Sequence, residues 1–232
     1  MKVFTAFLWV ILLSVSCPVK SGIEDTIHNI EQKLVAGESV AILYIDMQTR
    51  FMRAFNAAEF ASVIEGQLKL LSHFAGRQNV HFIDVNYKGQ GATLSEALIQ
   101  LKRNLNYKLF IKDEANAFGV EHTIPADGEV ISDSQIQGEL NEYLRSKTIS
   151  EVMVTGCFDG TCVLQTVKGA LDSGFNVSVD RQLNIIENLK SISRAFASPE
   201  EQAKALDTQW IELQEKFPKL TIIKPAEPGP CH

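Results

Sequence analysis

The stretch Val152-Met-Val-Thr-Gly-Cys-Phe-Asp-Gly-Thr-Cys162-Val-Leu-Gln-Thr-Val-Lys-Gly-Ala-Leu171 decides the fold. A β-branched apolar run ends at Gly156, small and polar residues follow, and apolar residues at helical spacing resume at Cys162. That order predicts a strand, a tight turn and a helix. Cys162 then opens a helix, where unpaired backbone N–H groups and the positive end of the helix dipole favour a thiolate near neutral pH. A nucleophilic cysteine suits that position, although a lone cysteine after a strand is more often a small buried hydrophobe.

Outward from this unit the pattern repeats. Ser39–Ile45 is a continuous apolar run that stops at Asp46, as expected of a central parallel strand covered on both faces. Further strands are predicted over Val80–Val85, Lys108–Lys112, Glu151–Thr155, Phe175–Val179 and Leu220–Ile223. Helical spacing marks Ile23–Val35, Phe60–Phe74, the segment through Leu94, Leu98 and Leu101, Gln135–Arg145, Cys162–Ser173 and Pro199–Lys216. Strands alternating with helices predict an α/β fold: a single-domain, Rossmann-like three-layer sandwich around a six-stranded, mostly parallel sheet. The domain is expected over 23–224, with a Pro/Gly-rich tail at 225–232. Lys88-Gly-Gln-Gly91 lacks the spacing of a phosphate-binding loop and reads as flexible surface. The polar segment 113–133 reads as a long functional loop.

The chain has 232 residues, 45% of them hydrophobic, enough for one sizeable core. A net charge of −6 with scattered Lys and Arg leaves no basic stripe for nucleic acid, so the expected partner is a small-molecule substrate. Lys2, the apolar run Val3–Leu13 and the small residues Ser14 and Ser16 predict a signal peptide over 1–20 and a secreted or periplasmic protein. The run is too short to span a membrane. A lipid anchor on Cys17 is an alternative if the source is bacterial. Of the four cysteines only Cys157 and Cys162 fall inside the core, which is no disulfide scaffold. Export would expose a reactive thiol to oxidation.

Asp46, Lys112 and Cys162 stand at or after three strand ends, where open parallel sheets bind their ligands. Asp46-Met-Gln48-Thr-Arg-Phe51, Lys112-Asp-Glu-Ala-Asn-Ala-Phe118 and Gly156 through Cys162-Val163 occur in order. With these motifs the chain resembles, over about residues 38–186, the isochorismatase-like cysteine hydrolases, which include nicotinamidases and N-carbamoylsarcosine amidases. The resemblance implies a catalytic triad of Asp46, Lys112 and Cys162. It also implies a cis peptide before Phe158 and an oxyanion hole from the N–H groups of Phe158 and Cys162. The expected activity is hydrolysis of a small amide or related non-peptide C–N bond through Cys162, with Asp46 relaying the proton and Lys112 supplying positive charge.

Two features depart from the family. Asp159-Gly160 stands where Thr-Asp is usual, and the nicotinamidase metal motif Asp-x-His is replaced by Asp84-Val-Asn86, so neither metal nor cofactor is expected. A vinyl-ether hydrolase of isochorismatase type and a non-catalytic small-molecule binder remain alternatives. A redox role for Cys157 and Cys162 has the wrong spacing for a C-x-x-C motif. A second subunit in the pocket, as in a homo-oligomer, is left open. The leader makes a direct prediction: protein sequenced from its native host should begin between Cys17 and Gly22, and an intact Met1 or Lys2 would refute export.

Overall fold

The first strand, β1 (Ser39–Ile45), has every residue after Ser39 buried, because helices cover both of its faces. Ala41, Leu43 and Ile45 point into one apolar cluster, and Val40, Ile42 and Tyr44 into the other. The computed structural model of the protein describes residues 22–54, 57–119, 121–123, 139–187 and 198–223. The expected leader (1–20), the tail (225–232), Cys17 and Cys231 lie outside these. Among the described residues no helix is long and apolar enough to cross a membrane.

From β1 the chain passes through α2 (Ala57–Phe74) to β2 (Val80–Tyr87), and through α3 (Ser95–Leu101) to β3 (Lys108–Lys112). It then returns through α4 (Glu139–Ser146) to β5 (Ile149–Cys157) on the other side of β1. From there α5 (Leu164–Asp172) leads to β6 (Asn176–Ile185), and α6 (Pro199–Lys216) to β7 (Leu220–Ile223). These six strands are parallel, as expected.

A short seventh strand, β4 (Glu121–Thr123), adds antiparallel to β3, giving the order β4-β3-β2-β1-β5-β6-β7. Three residues are too few to carry a period, and the loop expected over 113–133 conceals them. Much of that segment lies outside the described residues.

Because right-handed crossovers run outward in opposite directions from β1, the two sets of helices fall on opposite faces. An N-terminal helix, α1 (Gly22–Val35), joins α2 and α3 on one face, while α4, α5 and α6 share the other. Strand order reverses between β1 and β5, so the crevice at their carboxyl ends is the natural binding place.

Four local differences bear on that crevice. The first is a π-helical turn, Asp159–Val163, that precedes α5 and holds Cys162. The second is the length of β6, which runs on to Ile185 instead of stopping at Val179. Its polar Asp180, Arg181 and Asn184 break the apolar pattern but have partners, Asp180 accepting from Thr26 Oγ1 at 2.7 Å. Third, the Gly-rich loop is pinned, since Gly89 accepts from Arg50 Nη1 at 2.8 Å and Gly91 from Gln48 Nε2 at 2.6 Å. Fourth, Gly156 has φ +141°, and a Cβ there would overlap the Ile45 carbonyl oxygen and stand 2.7 Å from its nitrogen. Only glycine lets β5 approach β1 this closely. Gly156→Ala should therefore cost roughly 3 kcal/mol in urea unfolding, and a loss below about 1 kcal/mol would contradict this packing.

Candidate active site

Asp46 ends β1 with φ +54°, a left-handed conformation that aspartate tolerates. Its N–H donates to Val85 O at 2.8 Å, and its carbonyl accepts from Gln48 N at 2.8 Å and from the Cys157 thiol at 2.9 Å. This turn is held from three sides. Gln48 extends the clamp by donating to Tyr87 O at 3.1 Å and accepting from Tyr87 N at 2.7 Å.

Lys112, from the end of β3, is fully buried. Its ammonium donates to Asp46 Oδ2 at 2.7 Å, Glu114 O at 3.0 Å and Ala115 O at 3.2 Å, and lies 5.0 Å from the centroid of the Tyr87 ring. A buried ammonium is tolerable only with such partners. The two carbonyls are placed by the rest of the motif. Asn116 Oδ1 accepts from Phe118 N at 2.9 Å, and Ala117 N donates to Thr166 Oγ1 at 3.2 Å, which docks the segment on α5. A side chain at Gly169 would overlap the Asn116 amide, so glycine at this point of α5 gives the motif its seat.

Cys162 completes the group. Its thiol lies within reach of the charges of both Asp46 and Lys112, so the structure brings the three expected residues together. Burial disfavours the thiolate expected near neutral pH. Burial first, and the Asp46 charge second, push the Cys162 thiol up to about 12 against the opposing pull of Lys112. Cys162 lies inside the π turn and is only 9% exposed, so loss of hydration disfavours its charged form. Burial also raises Asp46, and Lys112 lowers it. Cys157 is fully buried and raised by burial, as its strand-end position predicts.

Phe158 follows a cis peptide bond from Cys157, and its carbonyl accepts from Thr161 N at 3.0 Å and Val163 N at 3.1 Å. The second expected oxyanion-hole residue, Cys162, thus belongs to the same turn as the first. The Phe51 ring stands edge-on to Phe158 at 5.6 Å and to Tyr87 at 6.5 Å. Sequence reasoning misses Tyr87, because a tyrosine ending a strand carries no motif.

At the position of the metal motif, Asp84 Oδ2 accepts from Thr93 Oγ1 at 2.7 Å and Tyr107 OH at 3.3 Å, and Asn86 Nδ2 donates to Thr93 Oγ1 at 2.8 Å. His81 points to the opposite face of the sheet, where its ring meets Tyr143 OH at 3.0 Å, and His73 pairs with Glu31. Among the described residues no three His, Cys, Asp or Glu side chains converge as metal ligands. The donor set around Asp84 does not fit a metal of that kind.

With this geometry in hand, the comparisons with known proteins place the chain. The isochorismatase domain family matches residues 40–183. The chain belongs to the isochorismatase family, whose members are in general hydrolases.

Three solved structures share the fold. The N-carbamoylsarcosine amidase of Thermoplasma acidophilum is 15% identical, with TM-score 0.53 over 82% of this chain and 99% of that one. The nicotinamidase of Staphylococcus aureus is 18% identical, with TM-score 0.50 over 63% and 82%. The MAR1 ribonuclease of Caenorhabditis elegans is 18% identical, with TM-score 0.52 over 75% and 73%. A search of curated proteins by sequence gave no match.

Asp84 makes a prediction about pH. Burial raises its carboxyl to about 7, and Oδ1 has no hydrogen-bond partner. Below pH ~4 the group is neutral in both folded and unfolded chains, so its contribution is present in full. Between pH ~4 and 7 the unfolded chain alone ionises, and that contribution is lost. Asp84→Asn should therefore gain stability relative to the parent as pH rises from 4 to 8, by up to roughly 4 kcal/mol in urea titrations. A difference independent of pH would contradict the buried neutral acid.

Proposed function

We propose that the protein is a cysteine hydrolase of a small amide or related non-peptide C–N bond, with Cys162 as nucleophile, Asp46 as general base and acid, and Lys112 as the fixed positive charge. The observation that carries this reading is the buried contact of these three side chains at the switch point of the sheet. The amidase and nicotinamidase neighbours support the substrate class by analogy. The ribonuclease neighbour supports none here, because the chain carries a net charge of −6.

Burial favours the neutral thiol of Cys162 beside Asp46. As Sγ attacks the carbonyl carbon, Asp46 takes the thiol proton, so no free thiolate is needed in a site that disfavours one. Burial raises Asp46 and so strengthens it as a base, while the Lys112 charge opposes that rise. The N–H groups of Phe158 and Cys162 are the donors assigned to the oxyanion. Asp46 then returns the proton to the leaving nitrogen, an amine or ammonia departs, and a thioester remains. Water, deprotonated by Asp46, attacks the thioester and releases the acid with the thiol restored.

A screen of small amides and ureas for ammonia release tests the reading. Turnover should vanish in Cys162→Ala and fall by roughly 10³-fold or more in Asp46→Asn, since members of such a unit act together. It should persist in Cys157→Ala and survive exhaustive chelation. Enol-ether cleavage retained by Cys162→Ala would favour a vinyl-ether hydrolase, and ligand binding without turnover of any substrate would favour a binding protein.

A further inference from the structure

The turn that presents Cys162 is held by a carboxylate with no part in the proposed chemistry. Asp159, the first residue of that turn, is 1% exposed. Its Oδ2 accepts from Arg181 Nε at 2.9 Å and Trp210 Nε1 at 3.1 Å, and its Oδ1 accepts from Asn184 Nδ2 at 2.9 Å. Asn184 Oδ1 in turn accepts from Gly156 N at 3.2 Å. The segment from Gly156 to Cys162 is therefore tied to β6 at Gly156 and again at Asp159, three residues before Cys162.

The C-terminal helix is the third party. Trp210 of α6 is 1% exposed, Arg181 bridges Asp159 to Asp207 of α6, and the Arg181 guanidinium lies 5.7 Å from the centroid of the Trp210 ring. Leu206 of α6 fills the space where a side chain at Gly160 would stand. The pair Asp159-Gly160 thus has two separate reasons: the first residue receives three donors, and the second gives α6 room to press on the turn.

We propose that Asp159 is a positioning residue that fixes the approach of Cys162 to Asp46, and that α6 sets this position through Trp210 and Arg181. The proposal rests on the reading of Cys162 as nucleophile and deepens it. Asp159 acts by placement, because its charge is already matched by Arg181 and its oxygens point toward β6 and α6. A carboxylate accepts three donors at once; an asparagine must turn its own amide N–H toward one of them.

The test uses the full chain and needs no substrate. Iodoacetamide alkylation of Cys162, followed by mass spectrometry from pH 6 to 10, should show a plateau at low pH, where Asp46 accepts the proton, and a rise at high pH from free thiolate. Asp46→Asn should remove the plateau. Asp159→Asn should lower it by roughly tenfold to hundredfold without shifting the high-pH rise, as expected for misplacement of a reacting group by about 1 Å. Trp210→Phe, which keeps the ring and removes one donor, should lower it less. A merely structural role predicts the opposite sign, because a loosened turn exposes the buried thiol and speeds alkylation.

A plateau unchanged or raised in both folded variants, or a shift of the high-pH rise, would overturn the proposal. Amide exchange at Cys162 and Val163 gives a second readout: it should quicken in both variants, and unchanged exchange would also overturn the proposal. If the parent itself has no plateau, or Asp46→Asn leaves it intact, the hydrolase reading fails, and the exchange result still decides whether Asp159 and α6 hold the turn.

Discussion

The ion pair between Lys112 and Asp46 is the constraint around which the carboxyl edge of the sheet is built. With neither side chain exposed to water, each charge loses its hydration, and the pair persists only where the remaining donors and acceptors are also matched. Lys112 meets this with two carbonyls and the face of Tyr87. Those carbonyls exist in the right place only because Asn116 and Ala117 are seated on Thr166 and beside Gly169 of α5. One buried ammonium thus explains the residue types of a motif spread over two elements.

Asp46 makes the matching demand on the other side. Its left-handed backbone is fastened by Val85, Gln48 and the Cys157 thiol, so Cys157 serves the site as a packing and donor group while remaining chemically inert. The approach of β5 that allows this contact depends on the missing side chain at Gly156. Strand contact, backbone turn and ion pair are therefore one arrangement, and a change in any of them disturbs the others.

These dependencies explain what was legible in the sequence. Asp46 and Lys112 stand where apolar runs stop and Cys162 where one resumes, so both the strand ends and the candidate site residues show in the pattern. The alternation of strands and helices shows for the same reason. Asp159, Asn184, Arg181 and Trp210 do not, because they belong to three elements and meet only through tertiary structure. The polar half of β6 is concealed by the same cause: its side chains answer partners on α1, α6 and the turn that holds Cys162, and sheet periodicity says nothing about such partners. The π turn is likewise invisible, since residues 159–163 have no apolar period of their own.

The burial of Cys162 changes the chemistry asked of the proposed nucleophile. A thiolate at a helix start would carry its reactivity at all times, and the fold would need only to bring substrate to it. With burial pushing the Cys162 thiol up to about 12, the proposed reactivity depends on the Cys162–Asp46 geometry. Placement of the turn then matters more than the field around it. The same fact eases the tension between a cysteine nucleophile and the export expected from the N-terminal run. Oxidation also proceeds through the thiolate, and a thiol that is 9% exposed and whose ionisation burial disfavours offers little of it to an oxidant.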